Sequence, residues 1–267
     1  MNKNLFTDFT KESDSYFFGL LLTDGNIASK RNTISLGLQA CDKHILDSYK
    51  VYVGHPTEVS LYNKGKSYRY CFNSKELKDV LMSQNLLPQK SKKEQLPNFD
   101  WKINRHFWRG VVDGDGSLFY TKGSLKVSLC GSKEVLEGFN LFCQLNSYTK
   151  PRTLDKTKTE GFFTMCYSGE ESMRIATLLY SDCTLYLNRK KAVFDLSNIN
   201  YSPKKSNRGI SVLPSGNFRV NIGFKGQRKR LGTFKTYEEA LSVRIEAEIK
   251  YQGKLGVHYD TSTGGSS

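Results

Sequence analysis

The chain has 267 residues, 38% of them hydrophobic, with 15 Tyr and 16 Phe, which is enough for one large or two modest cores and excludes a disordered chain. Its 40 basic and 26 acidic residues leave a formal charge of +14 and a pI near 9.4. That surplus favours a polyanionic partner, of which nucleic acid is the simplest.

In chain order, the first clear element is Tyr16-Phe-Phe-Gly-Leu-Leu-Leu-Thr-Asp-Gly25, whose apolar part predicts a helix over 17–22. A hairpin follows, with its second strand at 34–40. The stretch from Asp42 to Val53 reads as a helix with an Asp cap. Strands over 58–62 and 67–72 flank the turn Asn63-Lys-Gly65, and Ser74 caps a further helix. A basic cluster, Lys90-Ser-Lys-Lys93, closes the segment.

The order then returns. Phe107-Trp-Arg-Gly-Val-Val-Asp-Gly-Asp-Gly116 repeats the apolar helix ending in Asp-Gly. Strands over 118–120 and 125–129 flank a Lys-Gly turn, and Ser132 caps a helix through Phe142. Ser132 with Val135, Leu136 and Phe139 matches Asp42 with Ile45, Leu46 and Tyr49. Strands over 151–154 and 161–167 lead into a helix from Ser168, and Arg189-Lys-Lys191 ends the second half. Each half reads αββαββα, an α+β tandem repeat over residues 1–100 and 101–200. Two such units can sit about a pseudo-two-fold axis, each sheet covered by helices.

Gly19 and Gly110 occupy matching places inside the two apolar helices. A mid-helix glycine costs about 1 kcal/mol relative to alanine. Close approach of two backbones at the symmetry axis offsets that cost. Gly25 and Gly116 are read as helix-terminating glycines. Asp24 and Asp115 fall at helix C-termini, the unfavourable end of the dipole for an anion. Bringing them together adds repulsion, which a divalent cation relieves. Carboxylate oxygens suit Mg²⁺ or Mn²⁺, and such an ion can activate water for phosphodiester hydrolysis. Asp113 has Leu22 at its matching place and reads as a supporting residue.

The two segments resemble the signature of LAGLIDADG homing endonucleases in their single-chain, two-motif form. Trp108-Arg-Gly-Val-Val-Asp-Gly-Asp-Gly116 is the closer match and Phe17-Phe-Gly-Leu-Leu-Leu-Thr-Asp-Gly25 the looser one. The resemblance covers residues 14–196 and implies a pseudo-symmetric saddle with the motif helices at its centre. It implies a metal site formed by Asp24, Gly25, Asp115 and Gly116, and sheets lying in the DNA major groove. On it, Lys126 and Arg152 are candidate DNA contacts. The family often adds a basic residue near each active site. Lys92 or Lys93 and Lys190 or Lys191 could supply it, and Lys93 and Lys191 are named here as catalytic candidates.

Beyond the polar linker at 201–207 the texture changes. Three short strands, at 209–213, 218–224 and 231–234, precede a capping-box pattern, Thr236-Tyr-Glu-Glu239, and a helix. Residues 201–255 hold 12 basic and 4 acidic side chains. Gly216-Asn-Phe-Arg-Val, Lys229-Arg-Leu-Gly-Thr-Phe and Tyr237-Glu-Glu-Ala resemble the AP2 DNA-binding domain. That resemblance implies a domain over 201–256 whose sheet enters the major groove, with Arg219, Asn221, Lys225, Arg228 and Arg230 as candidate contacts. Residues 257–267 read as a flexible tail.

The cysteines, Cys41, Cys71, Cys130, Cys143, Cys166 and Cys183, form no Cys-x-x-Cys pair and read as reduced, buried thiols. No run reaches the roughly 18 apolar residues of a membrane span, and no signal core opens the chain. The expectation is a cytoplasmic protein, bacterial or phage-encoded, with an organelle as the alternative. One chain holds both half-sites, so a monomer without an obligate protein partner suffices. The reading is a divalent-metal-dependent, site-specific endonuclease of double-stranded DNA. The alternative is a non-cleaving nucleic-acid-binding protein on the same fold, an intron maturase or a transcription regulator. Retention of both aspartates argues against that decay. No Walker loop supports an enzyme of small phosphate substrates.

Overall fold

The residues from Tyr16 to Leu22 present no polar stripe, so a helix built from them has to be buried on all sides. In the computed structural model this helix is α1 (Glu12–Thr23), followed by β1 (Gly25–Ile27), β2 (Thr33–Gln39), α2 (Lys43–Val53), β3 (Ser60–Tyr62), β4 (Ser67–Asn73) and α3 (Lys75–Ser83). The second half runs α4 (Arg105–Asp115), β5 (Gly116–Thr121), β6 (Ser124–Gly131), α5 (Lys133–Ser147), β7 (Asp155–Lys156), β8 (Phe163–Ser168), α6 (Glu170–Tyr180) and α7 (Asn188–Asn200). The structure describes residues 1–90, 93–121, 124–200, 209–213, 215–224 and 227–252. Contacts within the chain divide it into two units, 1–201 and 202–267.

The repeat is explicit in the sheets. One four-stranded antiparallel sheet has the order β1-β2-β4-β3 and the other β5-β6-β8-β7. Even the register repeats: Gly25 faces Leu36 in the first hairpin and Gly116 faces Leu129 in the second. Strand alternation gives each sheet one core face. In β6, Leu125, Val127 and Leu129 are buried, while Lys126, Ser128 and Cys130 face outward.

One continuous apolar core serves both halves. Phe17 packs on Tyr49 and Tyr52 within the first half, whereas Phe18 meets Phe99 and Phe107. Burying each such side chain contributes roughly 2 kcal/mol. At the crossing of α1 and α4, a Cβ on Gly19 would overlap the carbonyl oxygen of Phe107, and one on Gly110 would overlap that of Tyr16. The two backbones touch where the sequence places its paired glycines.

Three local expectations change. Asp42 does not cap α2 with its side chain, although Ser74 and Ser132 cap α3 and α5. Its carboxylate accepts instead from Arg189, because a guanidinium is a stronger partner than a neutral amide. Residues 151–154 form no strand; the strand is the two-residue β7 that follows. The Asn140 side chain takes both backbone groups of Arg152, at 2.9 and 3.1 Å, and replaces a ladder there. Finally, the cluster 189–191 lies in an additional helix, α7.

In the second unit, β9 (Ile210–Val212), β10 (Phe218–Phe224) and β11 (Gln227–Phe234) form a sheet of order β11-β10-β9, followed by α8 (Tyr237–Gln252). Ile210, Val220 and Ala240 make its core, with Phe218, Leu231 and Phe234 against them. The capping box forms: Thr236 Oγ1 accepts from Glu239 N at 3.2 Å, and Glu239 Oε2 accepts from Thr236 N at 3.3 Å. No helix among the described residues is long and apolar enough to cross a membrane.

Candidate functional site

Each motif helix runs directly into a strand. Neither Gly25 nor Gly116 has positive φ, so neither is a left-handed cap; Gly116 is extended, at φ −94° and ψ 171°. The glycines serve tight passage instead. A Cβ on Gly25 would lie 2.5 Å from Leu21 O, and one on Gly116 2.5 Å from Val112 O. Only a residue without a side chain can fold back over its own last helical turn there.

This geometry sets Asp24 and Asp115 side by side at the ends of α1 and α4. Asp24 Oδ2 lies against Gly114, about 3.1 Å from where a Cβ would stand. Crowding by protein and the Asp115 carboxylate push Asp24 up to about 6. Burial and the charge of Glu94 push Asp115 up to about 6 as well. Asp24 nevertheless keeps an exposed side and Asp115 is half-buried. Water therefore screens both, and accessible area decides how strongly.

Two lysines answer these carboxylates, and both act on each of them. Lys190, only 2% exposed, donates to the carbonyls of Val112, Asp113 and Gly116 at 2.6, 2.6 and 2.7 Å. Burial lowers it to about 8, with Asp113 opposing the shift. Lys90 donates to Thr23 O at 3.0 Å, and burial lowers it too. Each lysine thus ties down the end of one motif helix. Lys93 is exposed, and Lys191 pairs with Asp195 on its own helix. The structure brings Lys90 and Lys190 to the carboxylates where the sequence reading favoured Lys93 and Lys191. Lys92 lies outside the described residues.

Asp113 is fully buried and accepts from Tyr16 Oη at 2.8 Å, Tyr180 Oη at 2.6 Å and Leu187 N at 2.9 Å. It joins both halves to the loop before α7 and is sealed from solvent. Burial is the main cause of its raised pKa.

From Asp24 a groove of about 330 Å³ runs along the outward face of the first sheet, past Asn26, Ser35, Gln39 and Arg69, with Asp42, Gly114 and Arg189 on its wall. The sequence marks Arg189 only as part of a basic cluster, and Asp42 as a cap. An ion pair 147 residues apart leaves no local signal.

The remaining candidates are dispersed. Lys126 sits on the outward face of β6. Arg152 is paired with Glu171 and lies 5.4 Å from the centre of the Tyr167 ring. In the second unit Arg228 and Arg230 are exposed, and Arg230 Nη2 donates to Thr233 Oγ1 at 2.9 Å. Arg219 is half-buried. Asn221 is 8% exposed, between the core residues Val220 and Ile222, and Arg244 donates to its carbonyl. Lys225 lies outside the described residues.

No protein-family model matches the chain, and no curated protein is significantly similar to it. Solved structures do match in fold. The LAGLIDADG homing endonuclease I-GzeII, crystallised in complex with its DNA target, superposes with a TM-score of 0.51 at 11% identity, over 86% of this chain and 96% of that one. The chain has the LAGLIDADG homing-endonuclease fold. I-LtrWI, another such enzyme bound to target DNA, gives 0.50 at 10% identity, over 87% and 96% of the two chains.

On this fold, the donors at the helix ends can be tested against a divalent cation. Among the described residues no group of three or more His, Cys, Asp or Glu side chains could hold a metal by itself. Two adjacent carboxylates, both raised by crowding and by acidic neighbours, still fit a hard cation that completes its shell with carbonyls, water or phosphate. The Gly116 carbonyl already accepts from Lys190.

Proposed function

We propose that this chain is a site-specific endonuclease of double-stranded DNA that uses Mg²⁺ or Mn²⁺ held by Asp24 and Asp115. The observation that carries the reading is the pairing of these two carboxylates, at the ends of glycine-packed helices, beside a groove along one sheet. The DNA-bound endonucleases of the same fold support it.

A divalent ion bound there would supply an activated water and charge stabilisation for the leaving oxygen. The chain's own residues do the rest. Lys190 and Lys90 fix the helix ends and keep positive charge beside the developing phosphorane. Asn26, Ser35, Gln39 and Arg69 offer hydrogen-bonding groups to base edges and phosphates. The second unit, with Arg228 and Arg230 exposed, extends the footprint as an AP2-like domain. Neither a covalent intermediate nor a nucleotide cofactor is required.

The test incubates the full chain with a duplex spanning the flanks of its gene, joined as they would be without it, with and without Mg²⁺. Metal-dependent cutting of both strands, lost in Asp24→Asn and Asp115→Asn, is expected. Specific binding without cutting would refute the nuclease reading and favour the non-cleaving alternative.

A further inference from the structure

The pair Asp42–Arg189 breaks the two-fold symmetry of the site. Asp42 lies before α2 in the first half and Arg189 on the first turn of α7 in the second. Arg189 Nε donates to Asp42 Oδ2 at 3.0 Å. The Asp42 side chain is 2% exposed, and among the described residues its Oδ1 has no hydrogen-bond partner. Asp42 forgoes the side-chain cap of its own helix and takes an arginine from the other half.

The Asp115 end lacks this device. At the places matching Asp42 and Arg189 stand Ser132, which caps α5, and Gln89, which is exposed. Arg189 also differs from the lysines. Lys190 spends its donors on backbone carbonyls, whereas the Arg189 side chain is 43% exposed. Among the described residues its Nη groups have no partner, and both Arg189 and Asp24 line the groove. A guanidinium gripped at Nε and open at both Nη atoms is arranged to take phosphate oxygens in a bidentate fork.

Resting on the nuclease reading above, we propose that Arg189, oriented by Asp42, is a phosphate clamp dedicated to the Asp24 end, so that one strand of the duplex is cut before the other. In hydrolysis the water oxygen adds to phosphorus and one P–O ester bond breaks. The departing oxygen leaves as an alcohol with a proton, and a phosphate monoester remains. Negative charge grows on the phosphate oxygens as this happens, and the clamp meets it at one strand only. Asp42 acts through Arg189 and is a positioning residue.

The experiment uses the full chain with Mg²⁺ and the gene-free junction duplex. Two further duplexes, each pre-nicked at one cleavage position, report the two strands separately. Arg189→Gln should slow the strand that the wild type cuts first by about 10- to 100-fold, and the other by less than about threefold. Asp42→Asn should slow the same strand, and Asp42→Glu should recover part of the rate. A general structural role would instead slow both strands alike and lower the melting temperature; either equal slowing or no slowing overturns the clamp. A wild-type chain that leaves both strands intact refutes the nuclease reading itself and removes the clamp with it.

Discussion

Replacing either motif aspartate by asparagine should stabilise the protein while destroying its activity. Asp24 and Asp115 are held near 6 rather than 3.8. A carboxylate kept ionised against such a shift costs about 3 kcal/mol when fully buried. Because Asp24 is exposed on one side and Asp115 is half-buried, screening reduces this to about 1 kcal/mol each. Since the folded-state pKa is raised, the cost is complete above about pH 6 and fades toward pH 4, where folded and unfolded chains are both protonated. In a unit of this size, 1 kcal/mol moves the melting temperature by about 2–4 °C. Thermal denaturation of Asp24→Asn and Asp115→Asn at pH 8 should show that rise, and at pH 4 almost none. Added Mg²⁺ should raise the wild-type melting temperature at pH 8 and leave the double variant unmoved. A loss of stability at pH 8, or an equal shift at both pH values, would refute the electrostatic account of the site.

Other outcomes follow from the same geometry. Gly19→Ala or Gly110→Ala should destabilise by about 3 kcal/mol in denaturant titrations, because the new methyl meets a backbone carbonyl that cannot yield. Asp113→Ala strands two tyrosine hydroxyls and one amide in the core and should cost about 3–5 kcal/mol. Lys190→Met should reduce the cutting rate about 100-fold, with Lys191→Met near wild type; the reverse order would restore Lys191 as the candidate. Arg228→Glu and Arg230→Glu should each flatten the salt dependence of DNA binding by about one counterion, leaving the cutting rate at saturating protein unchanged.

The repeat was legible because it is written in local chemistry: an internal glycine, an apolar run and a terminal Asp-Gly, each copied once. The hairpins and the serine caps were readable for the same reason. What escaped depends on partners far away in sequence. Asp42 has the residue type and position of a cap, and only the fold shows Arg189 beside it. Lys190 and Lys191 are equivalent as letters, and the phase of α7 alone sends one to the α4 carbonyls and the other to Asp195. In β10, alternation assigns Asn221 outward alongside Arg219. Its burial comes instead from a distant partner, Arg244 on α8, which donates to the Asn221 carbonyl.

The crossing of α1 and α4 also bears on how the chain is made. Gly19 emerges from the ribosome about 90 residues ahead of Gly110, a delay of about 5–20 s at ordinary elongation rates. Throughout that interval Phe18 lacks Phe107, the ring of the second helix that it meets in the finished protein. Uncovered apolar surface of this kind favours aggregation until the second half arrives. A gene split between the repeats would prolong that exposure until the second polypeptide was found by diffusion.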